Sequence, residues 1–326
     1  MNISVIFTGG TIGSLKTENW VGVDNSAKYM LLSKFENKFN DVVFIPSAPY
    51  GILSENLSAN ELNTLQKEVE NVLQSGTDGI IITHGTDTLQ YSASAIEYAF
   101  ANTQIPIVFV SAAYPLDNPK TNGFDNFNAA VELIRSKQTK GVFASYKNDG
   151  ESGVRIHIAS RIFQHREDDA NIYSTDGSTV AEYSNNSLTF FEAKKNKCVY
   201  PLGKVDYAQF SNILTIESTP ANEYNYSFEN VKAVILKPYH SATLNTSNER
   251  LAEFCKKAHE KNIPIFVPTV RKGVAYESSK LFDDLKIVCP PYCTFVSLYM
   301  KIYAAISLND DIADFVNKQI SHEMTV

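Results

Sequence analysis

The stretch Ile3-Ser4-Val5-Ile6-Phe7-Thr8-Gly9-Gly10-Thr11-Ile12-Gly13-Ser14 carries a short apolar run straight into a glycine turn. Ile3 to Phe7 reads as a strand. Adjacent glycines then let the backbone turn sharply, bring amide N–H groups close to a ligand and leave the Thr11 hydroxyl unobstructed. Glycine turns after a first strand are also common in doubly wound folds, so the turn alone fits either a site or plain architecture. A second stretch of the same kind is Ile82-Thr83-His84-Gly85-Thr86-Asp87-Thr88, where two hydroxyls and a carboxylate stand at a strand-to-helix junction. In open α/β sheets that carboxyl end is where ligands bind. The alternative is that Asp87 or Thr86 merely caps the next helix. With a strand order of 2-1-3, the loops carrying Thr11 and Thr86 become neighbours at a topological switch point.

Outward from these two stretches, short apolar runs alternate with helical ones, which is the pattern of a parallel α/β sheet. Strands are expected at Ile3–Phe7, Val42–Ile45, Gly79–Thr83, Pro106–Val110 and Gly141–Ser145. Ser58 and Glu61 stand in the capping-box relation, and Leu62, Leu65, Val69, Val72 and Leu73 mark one face of a helix running to about Gln74. Further helices are expected after Thr88 and from about Asp125 to Lys137. Residues 171–210 turn polar and irregular, with weak strand candidates at Leu188–Phe190 and Cys198–Tyr200. The alternation resumes with a strand at Val231–Leu236, a helix at Ser247–Lys261 capped by Thr246, a strand at Pro264–Val267 and a helix near Thr294–Ser307. The expected fold is therefore α/β: a larger N-terminal, mostly parallel doubly wound domain over residues 1–190, a linker over 191–210, and a smaller C-terminal α/β domain over 211–326.

The 326 residues carry 29 Lys and Arg against 36 Asp and Glu, a formal net charge of −7 that offers no field to attract a phosphate backbone. Nucleic acid is not an expected partner. Four Cys in a chain of this length read as incidental thiols of a reducing compartment. The start, Met1 to Phe7, lacks the basic flank and cleavage site of a signal peptide. No run approaches the roughly 18 apolar residues of a membrane helix, so a soluble cytoplasmic protein is expected. A Walker loop fails because Gly13 is followed by Ser14-Leu15, and a dinucleotide loop lacks the acidic residue that should close the second strand. The run His165-Arg166-Glu167-Asp168-Asp169 reads as a solvated loop, and the spacing of Cys289 and Cys293 is weak for a metal.

A threonine hydroxyl becomes a nucleophile when a base takes its proton, and attack on an amide creates an oxyanion that needs N–H or hydroxyl donors. Gly10, Thr11 and their neighbours can supply donors. Asp87 suits a substrate ammonium, because a carboxylate accepts several charge-assisted hydrogen bonds. At these residues the sequence resembles the bacterial-type L-asparaginase/glutaminase family, whose signatures T-G-G-T-I and H-G-T-D-T match Thr8–Ile12 and His84–Thr88. The resemblance implies an asparaginase-like fold over the whole chain and a metal-free, cofactor-free amidohydrolase acting on a small amino acid amide. It implies Thr11 as nucleophile, Thr86 as second catalytic threonine, Asp87 on the α-amino group, and Ser54-Glu55 as the substrate-binding pair. It also implies a homotetramer built from two close dimers.

The chain departs from the family pattern in ways that bear on activity. Where a mobile loop brings in a Tyr, the nearest residue is Trp20, with Tyr29 further on, and an indole can only donate. The family lysine of an Arg-Val-Thr-Lys-Thr stretch falls on Gln164 in Arg161-Ile162-Phe163-Gln164-His165, and glutamine is no base. Either His165 or a displaced lysine such as Lys147 fills the role, or Thr86 works differently. From the second domain, His240 is a candidate acid or base or a structural loop histidine, and Glu277 is a weaker candidate for a partner-chain acid. The leading expectation is hydrolysis of L-asparagine through an acyl-enzyme. The rivals are the same chemistry on glutamine or another amide, and a non-catalytic amino-acid-binding paralogue. The family's ammonia-releasing subunits for tRNA-dependent amidation carry an extra N-terminal domain, and since this chain begins at its first strand that role is not expected.

Overall fold

In the first strand, β1 (Asn2–Phe7), Ile3, Val5 and Phe7 point to one side of the sheet and Ile6 to the other, the period-2 alternation of a strand covered on both faces. The computed structural model describes residues 1–16, 21–23, 25–167, 169–193, 200–209, 212–268 and 276–325. They form two compact units, Met1–Lys204 with Ile320–His322, and Val205–Gln319 with Glu323–Val326.

In the first unit the chain passes from β1 through a small antiparallel pair, β2 (Ser14–Lys16) and β3 (Val21–Val23), and helix α1 (Asn25–Glu36) to strand β4 (Val43–Ser47). Helix α2 (Ala59–Gln74), strand β5 (Gly79–Thr83), helix α3 (Leu89–Phe100), strand β6 (Pro106–Val110), helix α4 (Gly123–Ser136) and strand β7 (Gly141–Tyr146) follow. Strands β8 (Val154–Ile158), β9 (Thr179–Ser184) and β10 (Ser187–Phe190) then extend the sheet antiparallel. Among the described residues the order is β10-β9-β8-β7-β6-β5-β1-β4. The strand carrying the first glycine turn thus lies between the second and third parallel strands, and the chain reverses direction of travel across the sheet at β1.

Two layers of helix enclose this sheet. Leu31, Leu32 and Phe35 of α1 and Phe127, Ala130, Val131 and Ile134 of α4 cover the Ile3–Val5–Phe7 face. Leu65 and Val69 of α2 and Leu89, Ala93 and Ile96 of α3 cover the face of Ile6, Ile80 and Ile82. Each fully buried isoleucine of β5 contributes about 1.5–3 kcal/mol of transfer free energy. The capping box of Ser58 and Glu61 is formed, with the Ser58 hydroxyl accepting from the Asn60 amide and Glu61 accepting from the Ser58 amide. The parallel strands lie within one or two residues of their expected bounds. Helix α1 and strands β8 and β9 were not expected: α1 follows a stretch without a cap signal, and β8 carries Arg155 and His157 inside its apolar run.

The second unit contains a parallel sheet in the order β11 (Ile213–Glu217), β12 (Ala233–Lys237), β13 (Ile265–Phe266), β14 (Ile287–Val288). Helix α5 (Glu249–Glu260) packs Leu251, Phe254 and Ala258 on Val234 and Leu236, and helices α6 (Glu277–Asp284), α7 (Phe295–Leu308) and α8 (Ile312–Asn317) complete it. The cap of α5 is Asn248, not Thr246: the Asn248 side chain accepts from the Arg250 amide, while Thr246 is used in a turn to Leu244. Thr294 caps α7 by accepting from the Ser297 amide. Lys301 and Glu323 form an ion pair at 2.9 Å with both side chains 0% exposed, and the same ammonium also donates to the Lys318 carbonyl. Among the described residues no helix is long and apolar enough to cross a membrane. The Cys198–Tyr200 strand expectation lies largely outside the described residues.

Candidate active site

Three backbone segments meet at the carboxyl ends of β4, β1 and β5. Register pairs Ile6 with Ser47 and Phe7 with Thr83, so the loops that leave these strands start level with one another. Gly10 has φ +71°, and a Cβ there would stand 2.2 Å from the Gly85 nitrogen and 2.3 Å from its Cα. The two glycine turns therefore touch backbone to backbone, which no L-residue with a side chain at Gly10 permits. On its other side the Gly10 amide donates to the Ile52 carbonyl at 2.8 Å, and the Ile52 amide donates to the Thr8 carbonyl at 3.1 Å. Ser54 closes the ring: its Oγ would lie 2.4 Å from a Cβ on Gly85, and its carbonyl accepts the Thr88 hydroxyl at 2.7 Å.

Thr11 opens a single 3-10 turn, Thr11–Gly13, and is half-buried, as is Thr86. The Thr8 hydroxyl instead faces inward and donates to the Thr83 carbonyl at 2.6 Å. Among the described residues, the hydroxyls and backbone amides of Thr11 and Thr86 have no hydrogen-bond partner, and neither does the Asp87 amide. Unpaired donors at strand ends are what a developing oxyanion requires. Asp87 and Glu55 are both exposed, and no lysine or arginine of the described residues pairs with the Asp87 carboxylate. The Asp87 carbonyl accepts from the Gln90 side chain at 2.9 Å, so the turn is held through its backbone and the carboxylate stays available.

His84 fixes the shape of the second turn. Its Nδ1 lies 2.8 Å from the Gly85 carbonyl, which can only accept, so Nδ1 carries the proton. Nε2 is then the acceptor for the Ser92 hydroxyl at 2.9 Å. Both ring nitrogens are satisfied in the neutral form, and burial lowers the pKa to about 4 against the Gly85 hydrogen bond. His84 thus supports the turn as a neutral ring, a role the motif alone did not disclose.

The segment after β8 brings further expected residues to the same unit. Gln164 is exposed, and His165 is half-buried with its ring edge-on to Tyr146, centroids 6.5 Å apart. Burial holds the His165 imidazole below its ordinary value; a hydrogen bond to the Ala170 backbone and the nearby carboxylates of Asp87 and Asp169 work against that. His165 therefore stands within electrostatic reach of Asp87, and its Nε2 has no hydrogen-bond partner among the described residues. Lys147 pairs with the Asp125 carboxylate at 2.9 Å.

Two further expected residues belong to the second unit. His240 is exposed in the loop after β12 of the second unit, with Nε2 3.1 Å from the Ser241 hydroxyl. Glu277 is the exposed first residue of α6 in that unit. Trp20 lies outside the described residues, and Tyr29 belongs to α1. The His165–Asp169 run bends back on itself through a bridge between Arg166 and Asp169, and among the described residues no group of His, Cys, Asp or Glu could hold a metal ion. Cys255 and Cys293 are buried free thiols pushed up to about 12 by desolvation, which makes them inert at neutral pH.

The described residues thus show a doubly wound α/β sheet with threonines, unpaired amides and an available carboxylate at its switch point. The family model described as "Asparaginase, N-terminal" matches residues 2–196, and the chain belongs to the asparaginase family of amidohydrolases. Its fold matches the thermostable L-asparaginase from Thermococcus kodakarensis with a TM-score of 0.82, at 20% identity over 100% of both chains. Among curated proteins it is 24% identical over 342 aligned positions to a subunit of glutamyl-tRNA(Gln) amidotransferase from Methanobrevibacter smithii, covering 99% of this chain and 76% of that one. The same subunit from Methanosphaera stadtmanae is 27% identical over 190 residues, 58% of this chain, and the match spans 43% of that relative's length.

Proposed function

We propose that the chain is an L-asparaginase that cleaves the side-chain amide of L-asparagine to L-aspartate and ammonia. The observation that supports the reading is the seating of Gly10 on the His84–Gly85 peptide, which brings the turn holding Thr11 against the turn holding Thr86 and Asp87. In this reading the Asp87 carboxylate takes the α-ammonium of the substrate, with Ser54 and Glu55 lining the same side. Thr11 Oγ1 gives up its proton and attacks the amide carbon, and the unpaired amides receive the oxyanion. Collapse expels ammonia, which carries away the transferred proton, and leaves an ester on Thr11. Water aligned by Thr86 then cleaves that ester to the carboxylate and restores the hydroxyl.

The test is steady-state ammonia release from L-asparagine, L-glutamine and D-asparagine by the wild type, Thr11→Ala and Thr86→Ala. Turnover of L-asparagine that both substitutions lower by about three orders of magnitude is expected. Unchanged turnover in Thr11→Ala would refute the nucleophile. Saturable thermal stabilisation by asparagine without any turnover would make the chain a binding paralogue instead.

The named relatives favour a second reading, in which the same amide cleavage serves a glutamyl-tRNA(Gln) amidotransferase. That reading expects glutamine to outrun asparagine, and turnover to rise on addition of the other subunits of such an enzyme. The proposed assembly is a homotetramer, which light scattering at micromolar concentration tests directly.

A further inference from the structure

We propose that Glu97 is a positioning residue for the candidate site, and that through it the turn carrying Gln164 and His165 depends on the Ser321–His322 segment near the end of the chain. The proposal rests on the reading of the site given above and deepens it. Glu97 lies on α3, the helix that begins directly after Thr86-Asp87-Thr88, and is 1% exposed. Carboxylates are almost never buried so deeply unless their oxygens are matched.

Here the match is dense. The Ser160 amide donates to Glu97 Oε2 at 2.6 Å, the Ser160 hydroxyl to Oε1 at 2.8 Å, and the His322 amide to Oε1 at 3.1 Å. The Ser321 side chain adds a further hydrogen bond. One carboxylate therefore ties together three stretches remote in sequence: α3, the single turn Ala159–Arg161 and residues 321–322. The knot is closed from its other side, because Arg161 is 0% exposed and donates its Nε to the His322 carbonyl.

Downstream of the knot the chain has little freedom. Ile162 bridges Ser174, and the Phe163 amide donates to the Tyr173 carbonyl at 2.9 Å. The turn to Gln164 and His165 thus leaves a fixed point and arrives where Asp87 acts on the His165 ring. A glutamine at position 97 keeps the volume but offers one oxygen instead of two, and its NH2 group would face a donor. A buried donor left unmatched is costly enough for the turn to relax away from that point.

The test uses full-length wild type, Glu97→Gln, Ser160→Ala and Thr11→Ala. It reads kcat and KM for ammonia release, with active enzyme counted by ligand titration, and amide hydrogen exchange resolved along the chain. Glu97→Gln is expected to lower kcat about tenfold with KM within about threefold, since a displacement of the turn by a fraction of an ångström acts on the reacting geometry more than on the ground-state grip. Exchange over residues 160–165 is expected to accelerate about tenfold, while that of β5 stays at the wild-type rate. Ser160→Ala, which keeps the amide donor, should show the same pattern at smaller size, and carries the test if Glu97→Gln does not fold. Unchanged kcat, or acceleration spread evenly over the first unit, would overturn the proposal by leaving Glu97 a purely structural role. If the wild type and Thr11→Ala release no ammonia alike, the functional reading fails, and the exchange pattern still decides whether Glu97 governs the turn.

Discussion

Adding one methyl group at Gly10 should separate the two halves of the candidate site. The Cβ of Gly10→Ala would stand 2.2 Å from the Gly85 nitrogen, 2.3 Å from its Cα and 2.8 Å from the His84 carbonyl carbon. All three atoms are backbone, so no side-chain rotation relieves the overlap. Restoring ordinary contact at 3.4 Å moves the loops apart by about 1 Å, and a displacement of that size costs roughly a hundredfold in rate. The positive φ adds about 1–2 kcal/mol of strain for an L-residue. The expected outcome is a fall of about a hundredfold in kcat/KM for ammonia release, with a melting temperature lowered by only a few degrees. Gly13→Ala is the matched control, because among the described residues a Cβ at Gly13 meets nothing within 4 Å; it should stay within about threefold of wild type. Gly10→Ala activity within threefold of wild type, or an equal loss in Gly13→Ala, would refute the reasoning that backbone contact between the turns sets the site.

Two further predictions concern stability. Burial lowers His84 and His157 from 6.5 to about 4, so unfolding takes up protons between those values, and the stability contributed by the neutral rings is full above pH 6.5 and lost as pH falls towards 4. Each ring accounts for roughly 3 kcal/mol across that window; Glu97, pushed up by burial, acts in the opposite sense, so urea unfolding should be compared between wild type and His157→Gln, whose curve should be flatter. A variant curve as steep as the wild type would show that His157 does not titrate with unfolding. Lys301→Met leaves the Glu323 carboxylate buried without its cation and should cost about 3–5 kcal/mol in denaturant unfolding, with part recovered in Lys301→Met/Glu323→Leu. A single variant as stable as the wild type would contradict that cost.

Much of the candidate site was legible because its parts are local. Thr11 and Thr86 stand next to glycines, with Asp87 directly after Thr86, in turns that follow apolar strands, and a strand followed by such a turn has one place to go in an open sheet. The capping box at Ser58 was legible for the same reason: a cap is settled within a few consecutive residues. The α5 cap was misplaced by two residues because Thr246 and Asn248 both offer a capping oxygen, and only the packing of Leu251 and Phe254 on β12 decides which turn becomes the first. That Lys147 pairs with Asp125 of α4 was not legible, since the two are 22 positions apart and meet only once the sheet and α4 are packed.

By itself the sequence determined the period of each element, the two glycine turns and the residue types gathered in them, because hydrophobic spacing and positive-φ positions act through neighbours along the chain. Only the tertiary structure decided that Gly10 lies on Gly85, that among the described residues Asp87 has no cation while Lys147 has a carboxylate, and that Glu97 joins Ser160 to His322. Those contacts link residues up to 225 positions apart. Their free energy depends on distance and burial, which take values only once the sheet has closed over both faces.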